Sequence, residues 1–213
     1  MVEDTQARSR LLNNLKYFTT DGCHSKVVQQ LIAAEPEDSK AIAMMNSREM
    51  TTEELAAVEE AVKMSSQMHH LNDSQQKALL LSLTTHVSLV QGPPGTGKTS
   101  TSAAILDANN RLYENVSSSA PTNLGIDEVV IRLLEKNVDV LRYGDWHRID
   151  KERIKTVSVE VKAEQDKRTM EYSRKSKAWW SKRKEIMKQM VEKEEAVHAG
   201  TLDSYGKGPF TDL

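Results

Sequence analysis

The 213-residue chain is long enough for one domain with an appendage, and its 38% hydrophobic content supports only a modest core. Its formal net charge of −2 indicates no particular partner, and its single cysteine, Cys23, excludes both an intramolecular disulfide and a cysteine-based zinc site. No apolar run approaches the ~20 residues that cross a bilayer, and the polar N-terminus is unlike a signal peptide, so we expect a cytoplasmic or nuclear protein without a membrane partner.

Residues 1–70 are predicted to be a helical N-terminal segment. Thr51 and Glu54 have the spacing of a capping box, in which each side chain bonds the backbone N–H of the other residue. Apolar residues follow this box at helical intervals, which predicts a helix over residues 52–68. The adjacent pair His69-His70 has no other clustered metal ligand nearby in the sequence, and we interpret it as a helix end.

Residues 71–148 alternate between strand and helix patterns. We predict strands at residues 87–90, 116–120 and 138–143, and helices at residues 74–83, 99–108 and 125–136. Asn72 or Asp73 is expected to cap the first of these helices. Such alternation is typical of βαβ units, so the sequence predicts an α/β fold with a parallel sheet.

Residues 149–199 are rich in Lys, Arg and Glu, which predicts a charged helical arm or insertion. A continuous helix over residues 160–197 would be roughly 55 Å long at ~1.5 Å per residue, longer than this core can cover. The arm could bind a nucleic-acid backbone or a protein partner, although the interleaved glutamates favour a solvated helix. Trp179 and Trp180 could stack on bases, but at least one of them is expected to pack against the domain. Glycines in residues 200–213 predict a loop tail.

Residues 92–99, Gly-Pro-Pro-Gly-Thr-Gly-Lys-Thr, have the spacing of a phosphate loop (Walker A motif) between a predicted strand and a predicted helix. Glycines let successive N–H groups point at the phosphate oxygens, and the helix start adds its positive dipole end. Lys98 would contact the β- and γ-phosphates, and the Thr99 hydroxyl would complete the shell of Mg²⁺. We therefore predict ATP and Mg²⁺ as cofactors, with Lys98 and Thr99 as catalytic residues and the following binding residues: Gly92, Pro93, Pro94, Gly95, Thr96, Gly97, Lys98, Thr99 and Ser100.

Two neighbouring segments narrow the choice among the many enzymes that use such a loop. Gln75 stands at the start of the helix before the loop, where its amide could pair with adenine by donating and accepting at once. An isolated glutamine at such a position is more often a solvated helix-start residue. Pro121, Thr122 and Asn123 close the second strand, and their plain interpretation is a strand end followed by an Asn-capped helix.

Together, residues 71–75, 88–99, 120–127 and 140–144 resemble superfamily 1 helicases of the nonsense-mediated-decay and senataxin type. The resemblance implies a partial RecA-like P-loop NTPase domain over residues 71–148, decorated by the segments before and after it. It implies that Gln75 reads adenine. It also implies that Pro121, Thr122 and Asn123 lie along single-stranded RNA or DNA.

The sequence also departs from that family. After residue 144 we find no hydrophobic strand ending in Asp-Glu, the pair that would hold Mg²⁺ and activate water, and Asp127-Glu128 instead opens a predicted helix. We also expect no second RecA-like domain within these 213 residues. We therefore expect an N-terminal helicase part or a truncated product that binds ATP, hydrolyses it negligibly and holds single strands weakly. The alternatives are an AAA+-type ATPase and a non-catalytic nucleotide-binding or helical interaction module.

Overall fold

The structure is a computed structural model that describes residues 47–113, 116–144, 152–172, 176–193 and 197–201. The predictions for residues 1–46, 145–148 and 202–213 lie outside these ranges. In chain order the elements are α1 (Thr52–His69), α2 (Asp73–Thr84), α3 (Lys98–Leu112), β1 (Val116–Ala120), α4 (Asn123–Glu135), β2 (Val140–Tyr143), α5 (Glu152–Lys155), α6 (Val159–Gln165), α7 (Lys167–Met170), α8 (Lys177–Lys193) and β3 (Val197–Thr201).

The strands form one parallel sheet in the order β1-β3-β2. Val197 of β3 is in register with Val116 of β1 on one side and with Val140 of β2 on the other. This confirms the predicted parallel sheet and the strand at residues 116–120. In a parallel sheet all carboxyl ends meet at one edge, which is where ligands bind in open α/β folds.

Helices cover both faces of the sheet. Val140, Val197 and Ala199 pack against α3 and α4 on one face. Leu141 and Tyr143 pack against α6 and α8 on the other face. Because successive side chains of a strand point to opposite faces, the fully buried strand β2 contributes to both cores.

The N-terminal helices α1 and α2 pack against α3, the helix that follows the phosphate loop. Their shared core contains Val58, Leu79, Leu83, Ala104 and Ala108. The capping box of Thr51 and Glu54 is confirmed, and Asn72 caps α2. None of the described helices is long and apolar enough to span a membrane.

The strand predicted at residues 87–90 is wrong, because this segment forms no strand in the described part of the chain. Leu89 is 91% exposed and Val90 is 44% exposed. Its β-branched residues favour an extended backbone, but a strand also needs a neighbouring backbone to bond with, which local sequence does not specify.

The charged arm is not confirmed, and residues 160–197 do not form one continuous helix. The predicted continuous helix is divided into α6, α7 and α8, and Asp166 ends α6 and caps α7. Helix α8 folds back on α6, where Arg183 Nε lies 3.3 Å from Glu164 Oε1. Ile186 and Met187 are buried against the sheet, so this highly charged segment contributes apolar side chains to the core.

Strand β3 (Val197–Thr201) occupies residues for which the sequence predicts the end of the arm and the start of the loop tail. Val197 and Ala199 are fully buried. Only five residues form this strand, and Gly200 within them favoured the loop prediction. Its central position between β1 and β2 supplies the backbone bonds that stabilise it.

Candidate nucleotide-binding site

The phosphate loop ends at the N-terminus of α3, and this helix end has no side-chain cap. Gly97 occupies the capping position, whereas the side chains of Thr51, Asn72 and Thr122 cap α1, α2 and α4. An α-helix leaves its first four N–H groups without intrahelical partners. Among the described residues, no backbone carbonyl accepts from the N–H groups of residues 97–100. These donors and the helix dipole therefore favour an anion at this end of α3.

Glycines shape the loop at two positions. Gly95 and Gly97 have φ angles of 80° and 81°, in the left-handed region that side chains disfavour. A Cβ on Gly97 would also lie 2.7 Å from Gln75 Nε2. The left-handed backbone at both positions therefore favours glycine, and at Gly97 the loop lies close to the Gln75 side chain of α2.

Lys98 places its ammonium against the loop. Its Nζ donates to the carbonyl oxygens of Gly92 at 2.8 Å and Pro93 at 2.7 Å. Both acceptors are neutral, so a phosphate could compete with them for a stronger, charge-assisted hydrogen bond. Thr99 and Ser100 follow in the first turn of α3, and both are half-buried.

Gln75 contacts the phosphate loop directly, which sequence reasoning missed. Its Oε1 accepts from the backbone N–H of Asn72 at 3.0 Å, and its Nε2 donates to the carbonyl oxygen of Thr96 at 3.0 Å. The amide retains a second N–H and a second lone pair. Gln75 therefore joins the start of α2 to the phosphate loop, and its reading of adenine stays a prediction.

Pro121, Thr122 and Asn123 form an exposed to half-exposed turn at the carboxyl end of β1. The capping residue of α4 is Thr122, not Asn123 as expected, and its hydroxyl accepts from the Gly125 N–H at 3.1 Å. Asn123 instead begins the helix. Its carboxamide is therefore available for a different contact.

The Asn123 carboxamide contacts a buried arginine, Arg142, whose role we did not predict from the sequence. Arg142 of β2 is fully buried and donates from Nη2 to Asn123 Oδ1 at 2.8 Å and from Nε to Asp127 Oδ1 at 2.8 Å. Its Nη1 donates to the carbonyl oxygen of Tyr143. The only sequence signal was the pair Asn123 and Asp127, which are four residues apart and so share one face of α4.

Asp107 and Glu160, which both lie outside the loop, have shifted pKa values. Burial opposes ionisation of Asp107, but the nearby His69 imidazole, a hydrogen bond from Ser65 and the ion pair with Arg111 outweigh it and lower the pKa of Asp107 below its ordinary value. Burial raises the pKa of Glu160, although its carboxylate accepts from the Gly144 N–H at 3.0 Å. No group of three or more His, Cys, Asp and Glu side chains that could hold a metal occurs in the described ranges.

Comparison with known proteins shows what this chain is similar to. The family model described as "AAA domain" matches residues 70–207. The chain is 38% identical over 104 residues to "Helicase required for RNAi-mediated heterochromatin assembly 1" of Schizosaccharomyces pombe, covering 46% of this chain and 10% of that protein. It is 37% identical over 83 residues to "ATP-dependent helicase NAM7" of Saccharomyces cerevisiae, covering 38% of this chain and 8% of that protein.

A third relative is "Regulator of nonsense transcripts 1" of Caenorhabditis elegans, which is 38% identical over 73 residues, or 34% of this chain and 7% of that protein. The chain thus spans about a tenth of the length of these relatives. The matches confirm the resemblance to superfamily 1 helicases of the nonsense-mediated-decay type.

Proposed function

Because this chain belongs to the AAA domain family, we propose that its phosphate loop binds the triphosphate of ATP together with Mg²⁺. The uncapped N-terminus of α3 carries the proposal, since its N–H groups and the Lys98 ammonium converge on one short loop. No other described helix combines a glycine cap, a positive-φ loop and an adjacent lysine. A triphosphate satisfies all of these groups at once.

The residues of the loop fit the chemistry of Mg-ATP. Lys98 would exchange the carbonyl oxygens of Gly92 and Pro93 for the β- and γ-phosphates. Thr99 would offer its hydroxyl to Mg²⁺, which takes most of its remaining ligands from phosphates and water. When bound, Mg²⁺ neutralises charge on the β- and γ-phosphates. Binding and orientation of the triphosphate are the roles we assign to residues 92–100.

We further propose that the domain is the ATP-binding part of a helicase that acts on single-stranded RNA or DNA. Support comes from the names of the relatives, two of which are helicases by name. The turn of Pro121, Thr122 and Asn123 is the proposed contact with the strand. The family description alone would also suit an AAA+-type ATPase, and the relatives favour the helicase.

Replacing Lys98 with alanine tests nucleotide binding. We expect the affinity for Mg-ATP to fall about tenfold or more, because the triphosphate loses a charge-assisted hydrogen bond. Calorimetric titration of the full chain measures the loss. Lys77→Ala is the matched control, since Lys77 is an exposed lysine on α2. Equal ATP affinity in the Lys98→Ala variant and the Lys77→Ala control would refute the proposal.

Replacing Gln75 with alanine tests base recognition. If the Gln75 amide reads adenine, the ratio of ATP affinity to GTP affinity should fall several-fold in the variant, because two hydrogen bonds to the base are lost. Parallel titration with inorganic tripolyphosphate separates this effect from the contact that Gln75 makes with Thr96. The control is Gln76→Ala, whose side chain donates to Leu71 instead. An unchanged ATP/GTP ratio with weaker tripolyphosphate binding would assign Gln75 to loop positioning alone.

A further inference from the structure

Two adjacent tryptophans on α8 differ sharply in exposure. Trp179 is 6% exposed, while Trp180 is 54% exposed. Trp179 therefore belongs to the packed domain, as expected for at least one member of the pair. Trp180 is a large aromatic residue with about half of its surface open to a ligand.

The exposed indole is held in place by its neighbours. The two rings meet edge to face with their centroids 4.9 Å apart. The Arg183 guanidinium lies 5.8 Å from the Trp179 centroid and 5.6 Å from the Trp180 centroid. Glu164 in turn fixes Arg183 through an ion pair of 3.3 Å. A ring fixed in this way loses little conformational entropy when a planar ligand stacks on it.

The surroundings of Trp180 on α8 are positively charged. Lys177 and Lys184 stand three residues before and four residues after Trp180, which places them beside it on the helix surface. Both are exposed, and within the described ranges neither forms an ion pair. Lys182 is already paired with Glu185 at 3.0 Å. The patch thus combines one open aromatic ring with two flanking ammonium groups.

We propose that Trp180 is a stacking platform for a base of single-stranded nucleic acid, with Lys177 and Lys184 contacting the flanking phosphates. An aromatic ring between lysines is the arrangement that binds single strands without sequence preference. The site lies on α8, apart from the turn of residues 121–123. The proposal rests on the proposed action on single strands. Because the site requires no bound nucleotide, its test does not depend on ATP binding.

The test compares two fluorescent probes of equal length, an oligothymidylate and an abasic oligonucleotide, on the full chain without nucleotide. We expect the native chain to favour the oligothymidylate about tenfold, within the range for one stacked base. Trp180→Ala should abolish this preference, whereas Trp180→Phe should keep most of it because an aromatic face remains. Tyr172→Ala is the matched control, since Tyr172 is a 40% exposed aromatic residue outside α8.

The lysines are tested by salt dependence. Lys184→Gln should reduce the slope of log affinity against log salt by about 0.7 for both probes, as expected for one lost phosphate contact.

An undiminished base preference in Trp180→Ala would overturn the proposal. The proposal would also fail if the native chain bound both probes equally or neither of them. In that case, Trp180 would be assigned to contact with another protein. Titration of Mg-ATP on the same variants separates this failure from a failure of the nucleotide site.

Discussion

Replacing Arg142 with methionine should lower the free energy of unfolding by about 3–5 kcal/mol, the usual cost of breaking a buried ion pair from one side. Methionine fills much of the same volume but cannot donate to Asp127, Asn123 or the Tyr143 carbonyl. Because the Asp127 residue is only 7% exposed, water cannot readily replace the lost donor. Urea denaturation followed by circular dichroism measures the change.

The matched control for this variant is Arg153→Met. Arg153 is an exposed arginine that donates to the Leu134 carbonyl oxygen at 2.8 Å, so its loss should cost less than about 1 kcal/mol. Removing both charges, in Arg142→Met with Asp127→Leu, should restore part of the stability because no buried charge is then left alone. A loss below about 1 kcal/mol in Arg142→Met would contradict the ion pair as a stabilising contact.

Arg142 also bears on function, because it joins the end of β2 to the turn proposed to contact single strands. Its Nη2 holds the Asn123 carboxamide, which is half-buried at the carboxyl edge of the sheet. The side chain that would contact a phosphate or sugar is therefore already oriented by an arginine 19 residues away in the chain. This hydrogen bond restrains the Asn123 side chain, which reduces the entropy that it would lose on binding a strand.

Features set by neighbouring residues could be predicted from the sequence. The capping box of Thr51 and Glu54 depends on side chains three residues apart, and helix α1 followed the prediction closely. The amphipathic helix α4 and the strand at residues 116–120 were likewise found near their predicted bounds. The pattern that predicts each of these elements lies within a few consecutive residues, where spacing and side-chain chemistry determine the local conformation.

Features that depend on distant partners could not be predicted. Residues 87–90 have the composition of a strand and form none, while residues 197–201 have a weak strand pattern and occupy the centre of the sheet. The difference lies in which backbone each segment meets, and strand propensity is weaker than such context. The same limit hid the Gln75 contact with Thr96 and the Arg142 network, whose partners lie 15 to 21 residues away.

Replacing Asp107 with alanine should destabilise the chain by about 3 kcal/mol, since Ser65 and Arg111 both bond to this carboxylate and such hydrogen bonds contribute about 1.5–3 kcal/mol each. Ser65 Oγ donates to Asp107 Oδ2 at 2.7 Å, and Arg111 Nη2 lies 3.1 Å from Oδ1. His69 of α1 approaches the same carboxylate at 3.6 Å. These contacts hold α1 against α3, the helix that starts at the phosphate loop. The variant should therefore also weaken Mg-ATP binding.

The pH dependence of Asp107→Asn gives the sharper measurement. Since the folded state lowers the pKa of Asp107, ionisation of this carboxyl stabilises the fold fully at pH values above its ordinary pKa of 3.8. That contribution is lost as the pH falls through the folded pKa. The difference in unfolding free energy between the native chain and Asp107→Asn should therefore be largest near pH 7 and shrink below pH 3.8.

The control is Asp73→Ala, because Asp73 is an exposed residue in the first turn of α2, and this change should cost only about 0.3–1 kcal/mol at pH 7. A difference for Asp107→Asn that stays constant down to acid pH would show that the carboxylate charge does not hold α1 to α3.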